Sequence, residues 1–202
     1  MKIFFCFGLL LCSFYGFAQL RDKGTIELAP IIGYSTSATP LTASGSDYVT
    51  DIQIGSHIDY FFNNRWSIRS GLLLQTMGTK KIKFLFFESD YSEKTRHLTV
   101  PLVINWHFGS TRKWYFNYGT SIGLLLEAKA DNGGGNGYVD IKDNANSFQF
   151  GVNTGVGYKL EISPKLSIVF DASFMLGLTD TNKEETRKNF YSSYNTGLVF
   201  KL

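Results

Sequence analysis

Apolar and polar residues alternate with period two along most of the chain. The clearest run is HLTVPLVINWHF at 97–108. There Leu98, Val100, Leu102, Ile104, Trp106 and Phe108 share one face, opposite His97, Thr99, Pro101, Val103, Asn105 and His107. Such a pattern predicts a half-buried β-strand. Similar segments recur between turn signals, and we place strands at 24–35, 49–62, 66–78, 95–108, 114–128, 147–162, 166–178 and 190–202. The connections alternate strictly. Short ones at 63–65, 109–113 and 163–165 are separated by long polar ones near 36–48, 79–94, 129–146 and 179–189. This is the plan of an all-β, eight-stranded antiparallel up-and-down transmembrane β-barrel, with tight turns at one rim and long loops at the other.

The two faces decide which side meets water. One parity collects bulky residues such as Ile52, Ile54, Ile58, Leu72, Phe116, Ile122, Phe150, Phe170 and Phe200. The other carries Gly55, Gly71, Gly119, Gly123, Gly151, Gly155, Gly157, Gly177 and Gly197 among small polar residues. A soluble surface has no need of that glycine-rich face, whereas a narrow eight-stranded lumen filled by side chains does. Phe62, Trp66, Trp106, Phe108 and Trp114 all flank short turns, where an interfacial aromatic girdle belongs. The apolar parity is therefore expected to face lipid. The first and last strands must then pair, because an open edge in hydrocarbon leaves backbone groups unsatisfied. Pro101, which cannot donate to a ladder, predicts a bulge or irregularity facing the lumen.

Composition agrees with this. Charged residues make up 18% and aromatics 16%, against roughly 25% charged in soluble domains. A formal charge of +3 without a basic run gives no footprint for nucleic acid. The start MKIFFCFGLLLCSFYGFA has a positive residue, an apolar stretch and small residues before Gln19, so residues 1–18 are expected to be a secretory signal peptide cleaved near Ala18. Residues 19–202 would form the barrel. Cys6 and Cys12 both lie in the leader, which leaves the remaining chain without thiol chemistry.

His97-Leu98-Thr99-Val100-Pro101-Leu102-Val103-Ile104 resembles the strand signature of PorT-like outer-membrane β-barrel proteins, and the eight-strand layout is similar across nearly the whole mature chain. The resemblance implies an outer-membrane location and, for some members, a part in protein secretion. It transfers no catalytic residue.

Candidate chemistry is sparse. Lumen-parity charges include Glu27, Asp51, His57, Asp59, Arg69, His97, His107, Glu127, Lys159, Glu161, Asp171 and Lys201. A turn centred on residue 64 sets Asp59 opposite Arg69, and Lys159 lies diagonal to Asp171 about residue 164. Glu27 and Lys201 meet near the short-turn rim if the barrel closes. Such pairs are expected to be structural, since charges in a dry lumen need partners. His97 and His107 are ten residues apart, about 33 Å along a strand, so no metal or other cofactor site is expected. The loop DNGGGNGYVDIKDNAN at 131–146 lacks calcium-loop spacing, and TNKEETRK at 181–188 mixes charge signs. Both predict solvated loops. Ser44, Ser46, Asp47, Ser89, Asp90 and Ser92 sit in outer loops with only His97 nearby, which gives little basis for a hydrolase.

The sequence thus leads to a non-enzymatic barrel with a filled lumen, embedded in outer-membrane lipid, meeting envelope or secretion proteins through its long loops. A small-solute channel is the alternative, ahead of a rim enzyme acting on lipids or peptides.

Overall fold

The structure is a computed structural model and describes residues 21–39, 46–84, 87–131, 133, 137–183 and 186–202. The expected leader and its cleavage position lie outside these residues. Among the described residues nine strands form: β1 (Ile26–Ala38), β2 (Ser46–Phe61), β3 (Trp66–Phe84), β4 (Phe87–Phe108), β5 (Trp114–Asp131), the two-residue β6 (Val139–Asp140), β7 (Phe148–Ser163), β8 (Leu166–Gly177) and β9 (Phe190–Lys201). Eight of them close an antiparallel barrel, each paired to its neighbour in sequence, with β1 and β9 sealing the wall. The short β6 pairs with β5 above the rim. Closure leaves no edge among the eight, which is what a sheet in hydrocarbon requires.

The alternation sorts as the sequence requires. Ile32, Ile54, Leu72, Leu102, Ile122, Phe170 and Leu198 lie on the outside and are exposed, whereas Ser67, Asn105, Asn117, Ser121 and Asn195 are buried in the lumen. Trp66 stacks near Trp106 at 6.4 Å, Trp106 near Phe108 at 5.3 Å, and Trp114 near Tyr158 at 4.8 Å, forming an aromatic belt at the short-turn rim. Asn63 shapes one tight turn by accepting hydrogen bonds from the backbone N–H groups of Arg65 and Trp66 at 2.8 and 3.0 Å.

Two expectations change and a third is refined. The connection at 79–94 is largely strand, because β3 continues to Phe84 and β4 begins at Phe87, so this hairpin stands taller than the rest. Its polar-rich sequence hid it, since above the membrane both faces of a hairpin can meet water. Pro101 faces the lumen without a bulge. The β3–β4 register is unchanged on either side of it, with Ser70 opposite Leu102 and Leu73 opposite Thr99, so the expected irregularity takes the form of a two-pair gap in the ladder, at Gly71/Pro101 and Leu72/Val100. A Cβ on Gly71 would fall 2.0 Å from the Ser56 carbonyl oxygen, so glycine allows the close approach of β2 there. A register shift comes instead at Arg96/His97 on the β4–β5 ladder. One extra β5 residue there places Leu126 and Glu127 successively outward, so Glu127 leaves the lumen.

Candidate lumen plug

The half of the lumen nearest the short turns is filled by charge. Asp59 lies directly opposite Arg69 across β2 and β3. The guanidinium grips it with two hydrogen bonds, Nε to Oδ1 at 2.7 Å and Nη2 to Oδ2 at 3.0 Å. Arg69 then reaches across the barrel, with Nη1 3.3 Å from Asp171 Oδ2 on β8. Tyr115 of β5 donates its hydroxyl to the same carboxylate oxygen at 2.6 Å, and its ring lies under the guanidinium at 4.7 Å. Asn105 donates to Asp59 at 3.3 Å and to Ser67 at 3.1 Å, and Ser67 in turn meets His107 Nε2 at 3.2 Å.

Lys159 is placed diagonally to Asp171, which faces Gly157 in the β7–β8 register, but its ammonium goes elsewhere. It crosses the lumen to Glu27 at 2.5 Å and Asp59 at 2.7 Å, with its side chain only 1% exposed. The long lysine stem reaches the opposite wall, where two carboxylates outweigh the one that Arg69 and Tyr115 already satisfy. Glu27 and Lys201 are cross-strand partners on β1 and β9, yet Glu27 is bound by Lys159 and Arg21. Cross-strand arithmetic finds neighbours along the wall. It cannot find partners across a closed barrel.

Arg21 escaped the sequence reading because it precedes the first strand, where no periodicity exists to place it. It is buried, donates to Glu27, lies 3.7 Å from Glu161, and covers the Phe61 ring at 5.5 Å. Lys113 reaches Glu161 at 3.8 Å. Four cations, Arg21, Arg69, Lys113 and Lys159, thus meet four carboxylates, Glu27, Asp59, Glu161 and Asp171. Balanced charge is one condition for burying such a group. Its hydrogen-bonded centre is Asp59, Arg69 and Lys159, whereas Arg21 Nη1 and Glu161 Oε2 sit at ion-pair rather than hydrogen-bond distance. Phe61, Tyr115 and His107 pack the space between, with ring centroids 4.9 and 5.5 Å apart.

Beyond this layer lies a cavity of about 40 Å³ whose lining includes Gln53, His57, Gln75, Asn117, Asn153 and Tyr191. It has room for a few waters at most, since each needs roughly 10–15 Å³ of such space. Gln53 ties this layer together by donating to Asn195 at 2.9 Å and accepting from Gln75 at 3.1 Å and from Tyr191.

Of the signature residues, Leu98, Val100 and Leu102 face outward, while His97 and Pro101 face inward. His97 is 4% exposed and opposite Leu125, and the described residues give it no hydrogen-bonded serine or carboxylate. The side chains of Ser44, Ser46, Asp47, Ser89 and Asp90 lie outside those described. Ser92 contacts the Tyr138 hydroxyl at 3.2 Å. Among the described residues no group of three His, Cys, Asp or Glu side chains is placed to hold a metal.

Residues 17–183 match the family model described as outer membrane protein beta-barrel domain. No curated protein matches the chain. Among solved structures it is similar to the outer membrane protein OprG from Pseudomonas aeruginosa, at 12% identity with a TM-score of 0.57, covering 90% of this chain and 97% of that one. It is also similar to Ail, the attachment invasion locus protein of Yersinia pestis, at 17% identity with a TM-score of 0.46, covering 88% and 99%. The likeness to OprG concerns the fold alone.

Proposed function

Since the chain belongs to the outer membrane protein beta-barrel domain family, we propose that it is a closed, non-conducting outer-membrane barrel that works as an interaction component rather than as a pore or an enzyme. The observation that carries this reading is the ion-paired layer of Arg21, Glu27, Asp59, Arg69, Lys159 and Asp171 across the lumen. A hydrated solute path would need that layer to open, and opening would strip partners from several buried charges together. The 40 Å³ cavity above it is too small for a sugar or an amino acid. The wall, lumen and short turns being thus occupied with closure, the long-loop rim is the surface left for partners.

Recording from planar bilayers tests the closed lumen. Purified protein is expected to give no steady, reproducible conductance, and discrete steps of constant size would sink the proposal in favour of a small-solute channel. The finer reading is a role in secretion or envelope assembly, which rests on the resemblance of residues 97–104 to PorT-like proteins. Its test is the protein content of the growth medium from wild-type and deletion strains. Selective loss of exported proteins, restored by complementation, is expected; an unchanged profile would remove secretion and leave the interaction role.

A further inference from the structure

The outer face of β4 and β5 changes character within one turn of sequence. Leu124 and Leu126 continue the exposed apolar band, then Glu127 and Lys129 point outward from β5, beside Arg96 and Lys94 on β4. From Trp114 in the aromatic belt to Leu126 is twelve residues. At about 3.3 Å per residue and a tilt near 40°, that span rises roughly 30 Å, the thickness of a bilayer's hydrocarbon core. Lys129 stands three residues further, about 8 Å higher by the same arithmetic, in the headgroup layer.

The charges there are not balanced. Lys94 lies directly opposite Lys129 in the β4–β5 register, an arrangement that costs stability when nothing lies between. One carboxylate, Glu127, serves both Lys129, which it contacts closely, and Arg96 at 3.7 Å. Lys94 instead rests over the Tyr138 ring at 5.7 Å. Asp140, across from Lys129 on β6, accepts the backbone N–H of Lys142 at 2.8 Å. Three cations against two carboxylates, Glu127 shared between two of them and Asp140 turned to a backbone N–H, leave a net positive patch on the rim of a lipid-facing band, complementary to a multiply charged oxyanion with acyl chains attached.

We infer that Lys94, Arg96 and Lys129 form a docking site for the phosphate of a membrane-lipid headgroup in the leaflet at the long-loop rim. The acyl chains lie below it on Val100, Leu124 and Leu126. The phosphate oxygens bridge the two opposed lysines and share the guanidinium, relieving the repulsion that the bare pair carries. The inference rests on the membrane setting of the barrel but not on its closed lumen, so a conducting barrel would leave it intact.

The test uses the full folded chain in dodecyl maltoside micelles, titrated calorimetrically with dihexanoylphosphatidic acid. Saturable binding is expected. Lys94→Gln with Lys129→Gln should weaken it about thirtyfold (~2 kcal/mol, taking about one for each cation). Arg96→Gln alone should weaken it about fivefold by the same rule. Lys23→Gln with Lys165→Gln, at the short-turn rim, should leave it unchanged. Heat-modifiable gel mobility confirms that each variant is folded. Equal weakening by the short-turn pair would reveal diffuse charge attraction and overturn the site, as would undiminished binding by both Lys94/Lys129 and Arg96 variants. Inorganic phosphate binding as tightly as the lipid would mean an ion site without lipid docking and would equally overturn it.

Discussion

Replacing Arg69 with leucine should be among the most damaging single changes in the lumen. Arg69 is 4% exposed and serves two carboxylates, Asp59 and Asp171, which are themselves 3% and 7% exposed. The two are not left equally poor by its loss. Among the described residues, Asp59 keeps Lys159 at 2.7 Å and Asn105 at 3.3 Å, whereas Asp171 keeps only the Tyr115 hydroxyl at 2.6 Å. Removing one partner of a buried ion pair costs about 3–5 kcal/mol, a large share of the ~5–15 kcal/mol that holds a typical domain together. Most of that cost should come from Asp171, so Asp171→Leu added to Arg69→Leu should recover about half of it. Charge balance is then restored, and apolar replacement of a whole buried pair is close to neutral. Urea unfolding in phosphatidylcholine vesicles, followed by tryptophan fluorescence, measures both variants and the Asp171→Leu single change. A loss below about 1 kcal/mol for Arg69→Leu would refute the claim that the layer is dry and tightly coupled. So would energies of the two changes that add within about 0.5 kcal/mol, the behaviour of independent sites.

A Cβ on Gly157 would fall 2.1 Å from the Tyr115 ring, so Gly157→Ala should lose about 1–3 kcal/mol in the same unfolding assay. At Gly123 the nearest atom is 3.3 Å away, and Gly123→Ala should lose clearly less; equal losses would mean that the lumen is not packed against Tyr115. All three tryptophans, Trp66, Trp106 and Trp114, are exposed on the outer wall at the short-turn rim. Lipids brominated near the headgroup should therefore quench their emission more strongly than lipids brominated at the chain ends, and the reverse order would misplace the belt. Tyr91 donates to Glu93 at 3.1 Å in the tall hairpin above the membrane, where burial first, and then the Glu93 charge, push its hydroxyl up to about 12. It therefore favours folding fully below pH ~10, and that contribution is lost as pH rises from about 10 to about 12, because the unfolded chain ionises first. The difference in 295 nm titration between wild type and Tyr91→Phe should show one tyrosine ionising near 12, and a midpoint near 10 would remove the effect.

Period-two alternation determines a good deal here by itself. A strand in a closed wall has one face in lipid and one in the lumen, so each residue's environment is written by its parity. Glycine on one parity and bulky apolar residues on the other then say which face is which, and eight strands with alternating loop lengths say how the wall closes. Asp59 and Arg69 face each other because a short turn fixes their register locally. What parity cannot encode is distance across the lumen. Lys159 meeting Glu27 spans 132 positions in sequence, and Arg69 meeting Asp171 spans 102; only curvature of the closed sheet brings them together. Nor does alternation signal its own interruption. The extra residue beside Arg96 and His97 turns Glu127 from lumen to surface without changing any residue type around it. Arg21, standing before the first strand, has no pattern at all, and its burial follows from the unpaired half of Glu27 that a completed barrel presents to it. The wall is a local property of the chain. The plug and the cationic patch are properties of its closure.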